Sequence, residues 1–309
     1  MTLHTLLDIE IGAPEPATLD EFYQEIGFVG SPGSWGGEGM PEQIKISEAP
    51  YRQLKTLRVG CTDESDLAGI GVNLDALGVE YQIINGQLLL VDPINKWQLI
   101  VEPASERRPA VHSQRVMNYP GERNRIGQRA EVITEKSSRK PRRLGHVVVG
   151  SPDPQKTVEL MKAIGFRVSD IIFGGIATFM RCSSDHHNLL VAPGQVPYLN
   201  HYAIEHDDFD SVMKAATIYL GEHGQEKHIS GPGRHQIGGN IFWYMLDPAG
   251  NFFEFFADID QIIDDDTWEP GDWSGSDLWS VWGDKEQPEV FFTPTDMEDI
   301  LKGWKAANG

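Results

Sequence analysis

The fold is decided by a stretch that occurs twice, as IEIGAPEPATLDEFYQEIGF at 9–28 and as VVVGSPDPQKTVELMKAIGF at 147–166. The two copies align without gaps. Each begins with a short apolar run, passes through a Pro-x-Pro turn, and then spaces its apolar residues as a helix does, as at Leu160 and Ile164. Proline lacks a backbone N–H and cannot extend a strand ladder, and Gly165 suits the end of a helix. We therefore predict a strand, a turn and a helix at the start of each half.

A fainter repeat follows within each half. LRVGCTDESDLAGIGVNLDALGVEY at 57–81 resembles YAIEHDDFDSVMKAATIYLGEHG at 202–224, and each half closes with an Asp-Pro turn that leads into an apolar strand, at 91–103 and at 246–258. A duplication inside a duplication predicts four related units, two in each half.

The domain boundaries are placed where the composition shifts. We predict an N-terminal structural domain at 1–104, a polar and basic connection at 105–143, and a C-terminal domain at 144–258 that carries the chemistry. The remaining segment, 259–309, is acidic and rich in tryptophan, and it ends in a pattern typical of a short amphipathic helix. We interpret this tail as packed on a domain, either as a lid over the site or as a simple aromatic packing segment.

The composition excludes several classes of protein. The 309 residues include 26 basic and 46 acidic side chains, for a net charge of −20. Such a charge repels phosphate backbones and anionic lipids, so we expect neither nucleic acid nor a membrane as a partner. The two cysteines argue against a disulfide framework, and no stretch approaches the roughly 20 apolar residues of a membrane span. We expect a cytoplasmic protein, and a homo-oligomer, because paired modules with exposed edges commonly associate.

Three residues of the second half are candidate metal ligands. His146 opens one apolar strand, His201 opens another, and Glu254 lies between phenylalanines in NFFEFFAD. An unpaired buried carboxylate is costly, and a metal removes that cost directly. Two imidazoles and one carboxylate form the facial triad of non-heme Fe(II), which leaves positions open for substrate and dioxygen. Taken singly, each histidine also fits an ordinary core or edge position, and Glu254 also fits a pair with an arginine.

Further polar residues suggest the surroundings of such a site. His186 and His187 stand at the entry to an apolar strand, where they must face opposite sides. A Gly-rich loop carries Arg234 and His235, and Tyr244 lies in the strand that leads towards Glu254. Read without context, His235 fits an exposed loop residue and Tyr244 a packing aromatic. As possible walls of a pocket we name four apolar residues, Ile172, Phe173, Phe242 and Trp243.

Five motifs of the second half together resemble the extradiol ring-cleaving dioxygenases of the vicinal oxygen chelate superfamily, which include dihydroxybiphenyl, catechol and homoprotocatechuate dioxygenases. The motifs are LGHVVV, SSDHHNLLV, LNHYAIE, GPGRHQIGGNIFWY and DPAGNFFEF. The resemblance implies an α+β fold of four βαβββ units paired into two domains, the glyoxalase-like fold, with a metal in the cup of the C-terminal domain. It also implies that an aromatic diol is cleaved beside its two hydroxyl groups by O2, which leaves a ring-opened semialdehyde.

The resemblance assigns roles residue by residue. His146, His201 and Glu254 match the residues that bind Fe(II), or less commonly Mn(II), and no organic cofactor is implied. His187 looks like the acid/base residue, whereas two further residues, His235 and Tyr244, match positions that hydrogen-bond the diol and the reacting oxygen. His186 matches a neighbour with no assigned chemistry, and two loop residues, Arg234 and Asn240, are pocket candidates only.

The N-terminal half serves as an internal control. The repeat places Asp8 opposite His146, Thr56 opposite His201 and Leu99 opposite Glu254. These three residues cannot form the same triad, so we expect one metal per chain and a purely structural first half. Two alternatives on the same scaffold remain open: a glyoxalase-like metal isomerase, and a metal-free protein that binds an aromatic compound.

Overall fold

The computed structural model of the chain describes residues 3–107, 109–110, 112–275 and 278–308. The predicted segments 1–104, 105–143 and 259–309 contain positions 1, 2, 108, 111, 276, 277 and 309, which lie outside the described residues.

The N-terminal half consists of two units, each with one strand, one helix and three further strands. Its elements are β1 (Leu3–Ala13), α1 (Pro16–Glu25), β2 (Val29–Ser31), β3 (Ser34–Gly37), β4 (Met40–Glu48), β5 (Gln53–Cys61), α2 (Glu64–Leu77), β6 (Gln82–Ile84), β7 (Gln87–Val91) and β8 (Gln98–Pro103). A short helix, α3 (Glu131–Thr134), lies in the connection to the second half.

The C-terminal half repeats this arrangement. Its elements are β9 (Arg143–Ser151), α4 (Pro154–Ala163), β10 (Arg167–Ile172), β11 (Ala177–Arg181), β12 (Leu189–Pro193), β13 (Tyr198–Glu205), α5 (Phe209–His223), β14 (His228–His235), β15 (Ile241–Leu246) and β16 (Phe252–Ala257). The four βαβββ units confirm the predicted α+β class and the predicted internal repeat.

The repeated stretch folds for the reasons that its residues suggest. Pro154 occupies the first turn of α4, and the side chain of Asp153 accepts a hydrogen bond from the backbone N–H of Lys156 at 3.1 Å. This cap satisfies one of the free N–H groups at the start of the helix. Just past the end of α4, Gly165 has φ +112°, a value that favours glycine. The prediction of a strand, a turn and a helix at 147–166 is confirmed.

Each half forms one sheet, and the strand order is the same in both. The N-terminal sheet has the order β2-β3-β4-β1-β5-β8-β7-β6, and the C-terminal sheet contains β10-β11-β12-β9-β13-β16-β15-β14. The first strands of the two units pair antiparallel at the centre, β1 with β5 and β9 with β13. The middle of each sheet is therefore built from the first strands of its two units.

The tail extends the C-terminal sheet at both edges. Its strand β17 (Asp272–Trp273) pairs parallel with β10, and β18 (Ser280–Trp282) pairs antiparallel with β14. The chain then ends in α6 (Met297–Asn308), close to the helix that the amphipathic pattern predicts. The segment after residue 258 is thus hydrogen-bonded into the sheet.

The two halves share one hydrophobic core. The ring of Phe22 on α1 lies 5.7 Å from that of Tyr219 and 5.0 Å from that of Phe253, measured between centroids. Both partners belong to the C-terminal half, and all three side chains are buried. Burial of this apolar surface fixes one half against the other. Within the described residues, no helix combines the length and the apolar character needed to cross a membrane.

Candidate metal centre

The three predicted ligands come from neighbouring strands of the C-terminal sheet. His146 lies on β9, His201 on β13 and Glu254 on β16. In the ladder, Ala203 pairs with His146 on one side and with Glu254 on the other, and His201 lies two residues before Ala203. Residues two apart on a strand share a face. The register therefore brings the three side chains together on one face of the sheet.

The donor atoms of this triad lie close together and away from solvent. Glu254 Oε2 is 3.1 Å from His146 Nε2 and 3.5 Å from His201 Nε2. One donor atom from each residue falls within 4.8 Å of the others, and the residues are 1%, 5% and 0% exposed for His146, His201 and Glu254. A second carboxylate and histidine cluster in the described chain, Glu25 with Glu222 and His223, is mostly exposed. The buried triad is the stronger candidate, because burial leaves its charge dependent on a local partner.

Hydrogen bonds fix the tautomer of His201. The side-chain N–H of Asn200 donates to the carbonyl of Phe291 at 2.7 Å, so its Oδ1 faces His201 Nδ1 at 2.9 Å. His201 Nδ1 must therefore carry the proton, and Nε2 presents a lone pair. That Nε2 is buried without a hydrogen-bond partner and faces the Glu254 carboxylate. A lone pair and a carboxylate that face each other repel unless a cation lies between them, so these residues fit a metal ion.

The charges of the triad follow from its surroundings. Burial lowers the pKa of His201 to about 4, against the opposing effect of Glu254. Burial also disfavours the charged form of Glu254, but the adjacent imidazoles, that of His146 above all, hold the pKa of this carboxyl well below its usual range. Glu254 is thus a carboxylate and His201 a neutral imidazole, which are the protonation states that metal binding requires.

The second oxygen of Glu254 is held by Asn240. Asn240 Nδ2 donates to Glu254 Oε1 at 2.8 Å, and both residues are fully buried. Asn240 is predicted only as a pocket candidate, whereas its contact orients the carboxylate. Arg234, the other such candidate, donates to the Gly239 carbonyl and to Asp258 and so braces the turn between β14 and β15.

His235 and Tyr244 form a hydrogen-bonded pair beside the triad. His235 Nδ1 lies 3.0 Å from the carbonyl of Trp279, so this nitrogen donates, and Nε2 accepts from the Tyr244 hydroxyl at 2.9 Å. His235 Nε2 is also 3.9 Å from Glu254 Oε1. Burial, together with the charge of Glu254, raises the pKa of Tyr244 well above its usual value, so the phenol keeps its proton. The prediction that Arg234 and His235 lie in a loop is wrong: both residues end β14, where they pair with the tail strand β18.

His187 lies over the triad from a different direction. Its ring centroid is 4.3 Å from that of His146, and its Nδ1 is 3.0 Å from His186 Nδ1. His186 in turn meets Asp170 through Nε2 at 3.0 Å. Only His187 of the pair faces the triad, as the sequence predicts. Asp170 was not predicted, although an acidic residue inside the apolar strand RVSDII was a signal that could have found it.

The tail supplies aromatic walls. The ring of Phe291 lies 4.8 Å from Tyr244 and 6.0 Å from His201, and Trp279 stacks 5.6 Å from Tyr244. Of the predicted walls, Phe242 stacks on His235 at 4.0 Å. The other three lie elsewhere: Trp243 packs on the shared core and donates to His228, and Ile172 and Phe173 pair with the tail at the end of β10.

The N-terminal sheet confirms two of the predicted equivalences and corrects the third. Register places Arg58 opposite Asp8 just as Ala203 lies opposite His146, which makes Thr56 the counterpart of His201. Arg58 also pairs with Ile100, so Ile100, and not Leu99, is the counterpart of Glu254. The difference of one position arises in the Asp-Pro turn. The N–H of Asp92 donates to the carbonyl of residue 97, whereas that of Asp247 donates to the carbonyl of residue 251, so the turn of the N-terminal half is one residue longer.

Comparisons with known proteins identify relatives of this chain. The family model described as Glyoxalase/Bleomycin resistance protein/Dioxygenase superfamily matches residues 143–255. Metapyrocatechase 2 of Cupriavidus necator is 32% identical over 264 residues, which cover 82% of this chain and 78% of that protein. The manganese-dependent 2,3-dihydroxybiphenyl 1,2-dioxygenase of Geobacillus genomosp. 3 is 32% identical over 147 residues, or 45% and 46% of the two chains.

Solved structures show the same fold. Homoprotocatechuate 2,3-dioxygenase of Brevibacterium fuscum, in its anaerobic complex with 3,4-dihydroxyphenylacetate, matches with a TM-score of 0.72 over 94% of this chain and 91% of that chain, at 16% identity. The fold, together with the relative that is matched over 78% of its length, confirms the resemblance that the sequence motifs indicate. The chain therefore belongs to the extradiol dioxygenases of the Glyoxalase/Bleomycin resistance protein/Dioxygenase superfamily.

Proposed function

We propose that this protein uses O2 to cleave the ring of a catechol-type diol at the bond beside its two hydroxyl groups, with one divalent metal ion held by His146, His201 and Glu254. The observation that carries the proposal is the bare, buried Nε2 of His201, which faces Glu254 at 3.5 Å. Buried His206 also has unpaired ring nitrogens, but only the unpaired Nε2 of His201 faces the carboxylate of Glu254, an arrangement that a cation between the two would stabilise. The relative named metapyrocatechase, which the chain matches over most of its length, supports the same reaction.

We propose Fe(II) as the native metal, with Mn(II) as the alternative. Two imidazoles and one carboxylate are the donor set of non-heme Fe(II) sites, and one relative is named as manganese-dependent. When bound, such an ion supplies open positions at which the diol and O2 are held together and through which electrons pass between them. The protein contributes the donor atoms and the dry, aromatic surroundings that the tail completes.

The side chains around the triad divide the remaining work. Because His235 Nδ1 is held by the Trp279 carbonyl, its Nε2 and the Tyr244 hydroxyl point at the same space and bind the oxygens of the diol and of the reacting centre. His187 Nδ1 is engaged by His186, so its Nε2 is the atom that accepts or gives a proton. Phe291 and Trp279 exclude water from this space.

Oxygen uptake with a panel of catechols tests the proposal. Protein prepared anaerobically with Fe(II), or in parallel with Mn(II), is expected to consume one O2 per diol and to give the yellow ring-opened semialdehyde. Turnover of lactoylglutathione without oxygen would instead establish the isomerase. Saturable binding of the diols with no oxygen uptake by either metal form would establish the binding protein and contradict the proposal.

We further propose that the chain forms a homo-oligomer in the cytoplasm. The edge strand β6 exposes Ile83 and Ile84, at 49% and 47%, beside the exposed Leu77, and an uncovered apolar edge favours association. Cys61 and Cys182 are both free and buried, as suits a reducing compartment. Light scattering on the purified protein, with an Ile83→Lys, Ile84→Lys variant as control, would contradict the assembly if both were monomers.

A further inference from the structure

A buried chain of hydrogen bonds runs from the tail to His187. The backbone N–H of Gly271 donates to Asp170 Oδ1 at 2.6 Å, and Asp170 Oδ2 is 3.0 Å from His186 Nε2. His186 Nδ1 is then 3.0 Å from His187 Nδ1. Asp170, His186 and His187 are 3%, 0% and 4% exposed. Trp268 closes the chain from the tail side, with its ring 5.4 Å from that of His186.

The direction of each hydrogen bond follows from its partners. A carboxylate only accepts, and Asp170 accepts from Gly271 through one oxygen. Its other oxygen must accept a hydrogen bond from the N–H group at His186 Nε2. In the neutral imidazole one nitrogen donates and the other accepts, so His186 Nδ1 is an acceptor. His187 Nδ1 must then donate, and its second nitrogen, Nε2, carries the lone pair.

We propose that Asp170 is a positioning residue, which acts through His186 to hold His187 in the tautomer whose Nε2 can accept a proton in the site. The inference rests on the proposed function, since it gives that nitrogen its task. In this tautomer Nδ1 donates to His186, 3.0 Å away, and Nε2 is the nitrogen without a proton.

Asp170→Asn should reverse the direction of each hydrogen bond in this chain, because the backbone N–H of Gly271 determines the orientation of the asparagine amide. The N–H of Gly271 must still be met by an oxygen, which leaves the amide nitrogen to face His186. His186 then accepts at Nε2, donates from Nδ1, and forces His187 to accept at Nδ1. The expected tautomer of His187 in this variant is protonated at Nε2, with no base in the site. A comparable loss of the correct tautomer costs a serine protease about 10⁴-fold.

The tautomer is measured directly by two-bond proton–nitrogen correlation spectra of the full chain labelled with ¹⁵N-histidine and loaded with Zn(II) as a diamagnetic probe. His187 is expected to be protonated at Nδ1 in the native protein and at Nε2 in Asp170→Asn. Asp272→Asn is the matched control, since Asp272 also accepts a glycine N–H, that of Gly174 at 2.9 Å, but is exposed. The control should keep the native tautomer.

Turnover of the Fe(II)-loaded enzyme gives the second readout. Asp170→Asn should lower kcat about 10²- to 10³-fold while KM for the diol changes less than about 3-fold, because the substrate contacts are untouched. His186→Gln, whose amide can donate to Asp170 and accept from His187 at once, should keep the native tautomer and most of kcat. His186→Leu should lose both, and these two variants decide the matter if Asp170→Asn does not fold.

Three results would overturn the proposal. A native tautomer retained in both Asp170→Asn and His186→Leu would show that the chain does not set it. Equal losses in His186→Gln and His186→Leu would reduce the role to packing. An inverted tautomer in Asp170→Asn with unchanged kcat would show that catalysis does not depend on the tautomer of His187. A native protein that shows the expected tautomer but cleaves no catechol would instead contradict the proposed function alone.

Discussion

The two sheets carry the same strand order but differ at their centres. In the C-terminal sheet, His146, His201 and Glu254 face one another, and His201 Nε2 has no partner. At the matching place in the N-terminal sheet, Asp8 is paired with Lys45 at 3.2 Å and with Arg58 at 3.1 Å. The N-terminal centre thus pairs its carboxylate with two cations of the protein. The C-terminal centre instead places the lone pair of His201 Nε2 against the carboxylate of Glu254. Two sheets with the same strand order therefore differ in the side chains at three register positions, and the proposed metal centre depends on those side chains and not on the strand order.

The energetics of the two centres differ in the same way. Burial raises the pKa of Asp8, with Lys45 and Arg58 acting against it, and the partly exposed pairs are worth about 0–1 kcal/mol each. The C-terminal carboxylate is fully buried and depends on its partners. Changes at the C-terminal centre should therefore affect function strongly, and changes at the N-terminal centre should affect stability weakly.

The largest effect is expected for Glu254→Gln. The neutral amide removes the only negative charge of the triad, so the protein should lose most of its bound metal and more than about 10³-fold of its ring-cleavage rate. Metal content by elemental analysis after anaerobic desalting is the measurement. Asp8→Asn makes the same chemical change at the N-terminal centre and should retain a full complement of metal.

His187→Asn should separate catalysis from metal binding. The variant removes the proton-transferring ring but none of the three proposed ligands, so kcat should fall about 10²- to 10⁴-fold with unchanged metal content. His4→Asn, at a histidine of the N-terminal half, should have no effect on kcat. Unchanged turnover in His187→Asn would remove its proposed role.

Lowering the pH should reduce the free energy of unfolding, because a buried histidine of the C-terminal half must take up a proton. His206 is buried, both of its ring nitrogens lack partners, and burial lowers its pKa from 6.5 to about 4. The unfolded chain binds the proton more tightly, so the stabilisation is complete above pH 6.5 and is lost as pH falls towards 4, by up to about 3 kcal/mol.

The N-terminal half supplies a matched variant for this pH effect. The counterpart of His206 by register is Cys61, whose pKa burial raises to about 11, so it stays neutral across this range. His206→Cys should therefore flatten the dependence of the free energy of unfolding on pH between 4.5 and 7, measured by urea denaturation. An equally steep dependence in the variant would assign the effect to other groups.

Asn200→Ala should loosen the ligand that it orients. Without Oδ1, His201 Nδ1 loses its acceptor, and metal affinity should fall about 10- to 100-fold, as is usual for a residue that supports a ligand. Anaerobic titration with Fe(II) measures this. Lys55 is the counterpart in the N-terminal sheet, where it pairs with Glu10, and Lys55→Ala should leave the affinity unchanged.

Asp8→Asn should have the smallest effect, a loss of at most about 1 kcal/mol in the free energy of unfolding. Arg58 keeps its second partner, Glu102, at 3.0 Å in this variant. Urea unfolding at neutral pH measures the change. A loss of several kcal/mol would mean that the N-terminal centre depends on its charges as strongly as the C-terminal one.

The sequence predicted the fold and the convergence of the triad because both follow from local repeats. A duplicated strand and helix pattern determines which strands meet, and period two on a strand determines which side chains share a face. The predicted counterpart of Glu254 in the N-terminal half was wrong by one residue. The turn at Lys96, with φ +62°, contains one additional residue, which the sequence pattern does not indicate.

The surroundings of the triad were harder to predict. Asn200, Asn240 and Asp170 each form a hydrogen bond with a residue distant in sequence, such as that from Asn200 to Phe291, and such contacts have no periodicity. The composition of the tail predicts that it packs on a domain, but it does not predict that backbone groups of the tail bind His235, Asn200 and Asp170. These contacts depend on where the tail strands β17 and β18 pair with the C-terminal sheet, and the composition of the tail does not indicate that position.

The most direct test of the central claim is a crystal structure of anaerobically iron-loaded protein with anomalous scattering measured on both sides of the iron edge. We predict a single peak per chain in the C-terminal sheet, bonded by His146 Nε2, His201 Nε2 and a Glu254 oxygen, with none between Asp8 and Thr56. A peak held by other residues, such as the exposed cluster at Glu222 and His223, or an empty triad in protein that cleaves catechols, would contradict the account.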